Sequence, residues 1–383
     1  MTMPSSLNVL TPRLSLVAWE ITKRCNLVCS HCRASAEDIP YGGELTFSDC
    51  CRVLDEIKTV GNPIIILSGG EPLARPDVFE IGRYAASKGF RVVMGSNGTL
   101  IDADTARKLK SVPISRIAIS LDFPNAELQD KFRGKKGAFE AAISGIANAR
   151  SAGVEVQINS TITKLNVGLL DELIRVALDV GAVAFHPFLL VPTGRGKGLE
   201  SVELSPQEYE NALNLVFDKQ IELGDKMQFK PTDAPHYMRV VKQRERAGAV
   251  LPPTIAAHPG GHPGGAPAGH GGGHPSVNAM TRGCLAGVGF CFISNEGKVQ
   301  GCGYLTAEAG DLKRQTFGEV WNESSLFCEL RDLDNIKGKC GSCEYKRICG
   351  GCRARAYETS GDYLNAEPYC IYQPAAKASH AKS

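Results

Sequence analysis

The sequence has little net charge, no long apolar run and, through its middle, no cysteine. Over 383 residues the formal charge is only +2, so no global field draws the chain to nucleic acid or anionic lipid. Partners have to be argued from individual sites. The opening "MTMPSSLNVL" lacks a basic stretch followed by an apolar one. No run approaches the roughly 18 apolar residues that a membrane span needs. No secretory signal or membrane helix is expected, and the chain reads as cytoplasmic. Cysteine is absent between Cys51 and Cys284, although the chain holds 14. In a reducing compartment that many thiols suit metal or redox chemistry better than structural disulfides.

What fills the gap is an alternating pattern. Candidate strands fall at 14–20, 63–68, 90–95, 114–121, 154–162 and 182–190. Each precedes a segment of helical spacing or composition, such as "TFSDCCRVLDEIKTV", "GAFEAAISGIANARS" and "SPQEYENALNLVFDKQIEL". Six such units predict an α/β fold with a parallel sheet, either open and doubly wound or a partial or full barrel. Ligands then belong at the C-terminal ends of the strands. The 43% hydrophobic content is enough for a buried core. A break follows at 254–275, "TIAAHPGGHPGGAPAGHGGGHP", which has almost nothing to bury and predicts a flexible loop. It carries His258, His262, His270 and His274, so a metal or haem contact is the other reading.

Just past the first strand stands "CNLVCSHC", with Cys25, Cys29 and Cys32 in C-x3-C-x2-C spacing. A single tetrahedral ion wants four ligands, whereas an iron–sulfur cubane held by three thiolates keeps one iron open. A zinc site borrowing a fourth ligand is the alternative. The spacing resembles the radical S-adenosylmethionine superfamily, which implies a partial (β/α)6 barrel. The open iron of its 4Fe–4S cluster would chelate S-adenosylmethionine. "SGGEP" after the second strand resembles that family's GGE motif, assigning Gly69, Gly70 and Glu71 to the cofactor's amino group. Ser96 and Asn97 of "SNGTL", Ser120 of "ISLD" and Asn159 of "QINS" fall where the family binds ribose and carboxylate. His31 stands where the family often has an aromatic residue near the adenine, plain packing being its simpler role.

The C-terminal thiols resemble the SPASM extension, which carries auxiliary four-iron clusters. The resemblance implies one cluster on Cys284, Cys291, Cys302 and Cys352 and another on Cys340, Cys343, Cys349 and Cys370. In "CGGC" two residues separate the last two clustered cysteines where the family pattern has three, so one or two auxiliary clusters are compatible with it. A zinc ribbon from "CGSCEYKRICGGC" is the competing reading. Cys50, Cys51 and Cys328 are left as small apolar residues. Arg133 in "DKFRGKKGAF" matches a motif common in SPASM proteins and has no evident physical role.

Longer stretches, including "RLSLVAWEITKRCNLVCSHCRASAED", "KPTDAPHYMRVV" and "CGGCRARAYETSGDYLNAEPYC", resemble the radical enzymes of the siroheme-dependent haem pathway. That implies oxidative decarboxylation of two propionates of Fe-coproporphyrin III to vinyl groups, giving haem b. It also implies a low-potential donor such as ferredoxin or flavodoxin, with an auxiliary cluster as electron acceptor. Deacetylation of didecarboxysiroheme is the near alternative. A porphyrin pocket should offer an imidazole and cations, for which His236, Tyr237, Arg195 and Arg239 are the candidates. The expected organisation is a core at 1–230, a connecting segment at 231–280 and an auxiliary iron–sulfur domain at 281–383. Three other classes stay open: a peptide or sulfatase maturase, a non-catalytic metal-binding or electron-transfer scaffold, and a haem carrier using the His-rich loop.

Overall fold

The computed structural model describes residues 8–250 and 282–374; the expected loop at 254–275 lies outside the described residues. Seven strands run in parallel through the first part: β1 Leu16–Thr22, β2 Ile64–Gly69, β3 Val92–Ser96, β4 Ile114–Ser120, β5 Glu155–Ile162, β6 Ala184–Leu189 and β7 Gln228–Phe229. Each of the six strands expected from sequence is present, displaced by at most two residues at either end. β7 was not foreseen: two residues are too short to leave a periodicity.

The helices form where the pattern places them because their caps are encoded locally. Thr46 and Asp49 close a capping box at the start of helix Phe47–Val60. Ser205 and Glu208 do the same for helix Pro206–Leu223, which also carries proline in its first turn. Val17, Trp19 and Ile21 of β1 join Val53, Leu54 and Ile57 of helix Phe47–Val60 in the main core. Each fully buried side chain of this kind contributes roughly 1.5–3 kcal/mol.

The C-terminal segment does not build a separate sheet. β8 Phe290–Ile293 pairs in parallel with β1, and β9 Lys298–Gln300 and β10 Glu308–Asp311 follow antiparallel. One ten-stranded sheet results, in the order β10-β9-β8-β1-β2-β3-β4-β5-β6-β7. The expected partial barrel is therefore extended at its β1 edge by the cysteine-rich part, which brings that part against the first thiol loop. Phe317 N–H also donates to Glu56 on helix Phe47–Val60 at 2.8 Å. Among the described residues, no helix is long and apolar enough to cross a membrane.

Candidate active site

The loop after β1 carries Cys25 and Cys29, both buried, and Cys32, partly buried. Arg195 pins this loop from outside. Its side chain donates to the carbonyls of Cys29 and Ala36, both at 2.9 Å, and its backbone N–H to that of Cys32 at 3.0 Å. With these donors Arg195, the candidate for a propionate, braces the thiol loop, and its Nη1 has no hydrogen-bond partner. A second brace comes from helix Ala126–Arg133 and the left-handed Gly134 after it (φ +71°), where any Cβ would lie 2.5 Å from Val28 O.

Arg133 gains a role here. Its guanidinium pairs with the fully buried Asp122 at 2.5 Å and donates to Cys29 Sγ at 3.7 Å. Asp122 in turn accepts from Thr161 N–H at 2.7 Å. Burial pushes the Cys29 thiol up, and the cation beside it pulls it back. Cys25, with no such cation, is pushed by burial up to about 12.

The glycine pair works through its backbone. A Cβ on Gly69 would lie 2.4 Å from Thr22 O, and one on Gly70 would lie 2.5 Å from the carbonyls of both Lys23 and Arg24. Only glycine lets the second strand's loop lie against the first. The carboxyl of Glu71, the third residue of the motif, is fully buried. It accepts from Ser96 Oγ at 2.9 Å, Asn97 N–H at 2.8 Å and Leu73 N–H at 3.1 Å, tying the "SGGEP" and "SNGTL" loops together. Burial raises this carboxyl to about 7 against those donors, which pull it down. Asn97 Nδ2 reaches Asn26 Oδ1 at 2.8 Å and Cys25 Sγ at 3.8 Å, so the third loop is joined to the thiols as well. Ser120, the last residue of β4, pairs in register with Asn159 in the middle of β5. Asn159 Oδ1 accepts from Gln157, whose amide also meets buried His186 at 3.0 Å. His31 stacks on Phe132 at 4.3 Å, nearly parallel, and burial holds its imidazole down at about 4.

The outer auxiliary thiols converge. Cys340, Cys343, Cys349 and Cys370 line one cleft together with His236, Arg239 and Lys339. Backbone amides point at the sulfurs: Glu367 N–H at Cys340 Sγ (3.3 Å) and Gly351 N–H at Cys349 Sγ (3.4 Å). The short "CGGC" spacing is met by two left-handed glycines, Gly350 (φ +80°) and Gly351 (φ +63°). A Cβ on them would lie 2.3 Å from Arg282 and Arg353 respectively. Two of the substrate candidates line the same cleft: His236, whose ring lies tilted 4.5 Å from that of Tyr209, and Arg239, which is ion-paired to Glu210. Tyr237 is fully buried and donates to Gln220 at 3.0 Å.

The inner set is gathered in part. Cys284, Cys302 and Cys352 lie within electrostatic reach of one another, and Arg355 N–H meets Cys352 Sγ at 3.5 Å. Cys291 stands apart, buried in β8. Glu367 links the two sets, accepting from Cys352 N–H at 2.9 Å while its own N–H faces Cys340. Glu367, Arg355 and Asp233 were all missed from sequence. A single charged residue, in a loop like Asp233 and Glu367 or in a short helix like Arg355, has no pattern that marks it as buried. Of the three spare cysteines, Cys50 is buried and Cys51 half-buried, while Cys328 is exposed rather than the buried apolar residue expected.

These donor sets fit iron–sulfur clusters. Buried thiols with raised pKa values ionise only beside strong positive charge, and the amides aimed at sulfur suit thiolate acceptors. Among the described residues, no three or more His, Cys, Asp or Glu side chains gather as ligands of a single ion.

Comparison with known proteins agrees with this geometry. The Radical SAM superfamily matches residues 19–178. The AdoMet-dependent heme synthase of Methanosarcina barkeri is 47% identical over 94% of this chain and 97% of its own. The Fe-coproporphyrin III synthase of the same organism is 31% identical over 93% of this chain and 87% of its own. In fold, Streptococcus suis SuiB superposes with a TM-score of 0.70 at 16% identity, covering 94% of this chain and 77% of that one.

Proposed function

The chain belongs to the radical SAM superfamily, and on its likeness to the AdoMet-dependent heme synthases we propose that it converts Fe-coproporphyrin III to haem b. The single observation that carries this reading is 47% identity running through 94% of the chain. The SuiB likeness, at 16% identity, speaks for the fold alone.

Cys25, Cys29 and Cys32 would hold a 4Fe–4S cluster, which together with S-adenosylmethionine would supply hydrogen-atom abstraction from an unactivated carbon. The chain's own residues do the rest. Gly69 and Gly70 let backbone approach the bound ligand, and Glu71 fixes their loop to Ser96 and Asn97. Arg133 stabilises negative charge on Cys29, and Arg195 holds the loop carrying Cys29 and Cys32 in register. On the substrate, loss of a β-hydrogen atom, carbon dioxide and one electron turns a propionate into a vinyl group, so two propionates need two rounds. The low-potential electron donor is of the ferredoxin or flavodoxin class. A cytoplasmic location is supported by the chain's 14 free cysteines. Residues 1–230 form the radical core in this reading and 281–383 the auxiliary iron–sulfur part, joined by 231–280.

Substrate deuterated at the propionate β-carbons tests the chemistry. Deuterium should appear in 5′-deoxyadenosine; deuterium retained in full in the porphyrin product contradicts the reading.

A further inference from the structure

Four thiols were expected around the inner auxiliary site, and the fold delivers three. Cys291 pairs in register with Val17, and Phe292 with Ala18, so neighbouring residues of β8 share opposite faces of the sheet with those β1 partners. Val17 belongs to the core against helix Phe47–Val60, and Cys291 joins it there. The loop carrying Cys302 lies on the other side: a Cβ on Gly303 would be 3.3 Å from both Arg33 and Phe292. Burial alone raises the Cys291 thiol, with no charged neighbour acting on it, whereas Cys302 is acted on by Asp233, Cys352 and Cys284.

Asp233 stands beside two of the three inner thiols, Cys302 and Cys352. Its Oδ2 is buried and has no hydrogen-bond partner. The groups facing it are Cys302 and Cys352 together with Arg33, Arg355 and Tyr304. Its backbone is held in the left-handed region at φ +56°, a conformation shared among non-glycine described residues only with Ser35. Tyr209 Oη and Arg355 Nη1 fix it there by donating to its carbonyl at 2.8 and 3.2 Å. Strain of this kind persists only where the surroundings over-determine it, and it concentrates at functional sites.

We propose that Asp233, rather than Cys291, completes the inner auxiliary iron–sulfur site beside Cys284, Cys302 and Cys352, as an oxygen ligand. The inference rests on the reading that this site holds a cluster. It gives that cluster one harder, more exchangeable corner than four thiolates provide. Cys291 is then a small core residue of β8.

The test is spectroscopic and uses the full chain with Cys25, Cys29 and Cys32 all changed to Ala, so that only auxiliary clusters contribute. In that background Cys291→Ser should keep iron and sulfide content and the reduced electron paramagnetic resonance spectrum unchanged. Asp233→Asn keeps the shape and tolerates the left-handed backbone. It should lose about one iron per chain on mild oxidation, the exposed corner of a cubane, and show a three-iron signal. Asp233→Cys should restore the iron with an altered spectrum. Circular dichroism confirms folding of each variant. Loss of the inner cluster in Cys291→Ser, or an unchanged spectrum in Asp233→Asn, overturns the proposal. A background protein that shows only the outer cluster overturns the reading beneath it instead.

Discussion

Arg133 donates to Cys29 Sγ at 3.7 Å while paired with Asp122 at 2.5 Å, so a buried cation is aimed at one thiol of the three-cysteine site. Hydrogen bonds and charge at cluster sulfurs set reduction potentials, and positive charge favours the reduced state. Arg133→Gln should therefore make the cluster harder to reduce, a lower midpoint potential in a redox titration followed by electron paramagnetic resonance. Arg133→Lys should lie between the two. Arg133→Met also strands Asp122, and breaking a buried pair in this way costs about 3–5 kcal/mol. An unchanged potential in a folded Arg133→Gln protein would leave the pair a purely structural one.

Gly70→Ala asks for room that is not there, with two carbonyls 2.5 Å from the new Cβ. The loop has to move, and the cofactor contact moves with it. Binding of S-adenosylmethionine should weaken by at least about tenfold, the equivalent of 1.4 kcal/mol, with the iron content of the three-cysteine site preserved. Equilibrium dialysis against the reconstituted protein measures it.

His31 gives the thiol loop a pH dependence of definite sign. Burial lowers its pKa from 6.5 to about 4, so the folded state holds the neutral ring and the unfolded state binds the proton more readily. The stability it contributes is present above pH 6.5 and is lost as pH falls through that value toward 4. Urea unfolding of the cluster-free chain at pH 7 and pH 5 should show the loss, and His31→Phe, which keeps the stack on Phe132, should reduce it.

The outer thiols and Cys328 make a matched contrast. Cys343→Ala opens a cleft lined by four thiols, whereas Cys328 is exposed and away from it. Cys343→Ala should lose iron and lower vinyl product per S-adenosylmethionine cleaved while 5′-deoxyadenosine still forms. Cys328→Ala should match the unaltered protein in both. A folded Cys343→Ala protein with full iron and full coupling means the cleft holds no cluster.

Much of the fold was legible because its signals are local. Six parallel strands, each followed by a segment of helical spacing or composition, follow from periodicity along the chain. The first three thiols and the glycine pair were legible because their chemistry is written in contiguous spacing. The surroundings of the substrate candidates were not. Arg195, Arg239 and Tyr237 look alike in sequence whatever they meet, and what decides is which chain folds over them. The placement of Cys291 was hidden for a related reason. The resemblance assigns it to the inner set, while its register with Val17 of β1 is set by a strand pairing that the sequence does not display.

The central claim is the conversion itself. Reconstituted full-length protein, incubated without oxygen with S-adenosylmethionine, a reductant and Fe-coproporphyrin III, should yield a monovinyl intermediate and then haem b, each step losing one formic-acid equivalent by mass. Unchanged Fe-coproporphyrin III from protein that cleaves S-adenosylmethionine, or loss of acetate groups from a siroheme derivative in its place, contradicts the account.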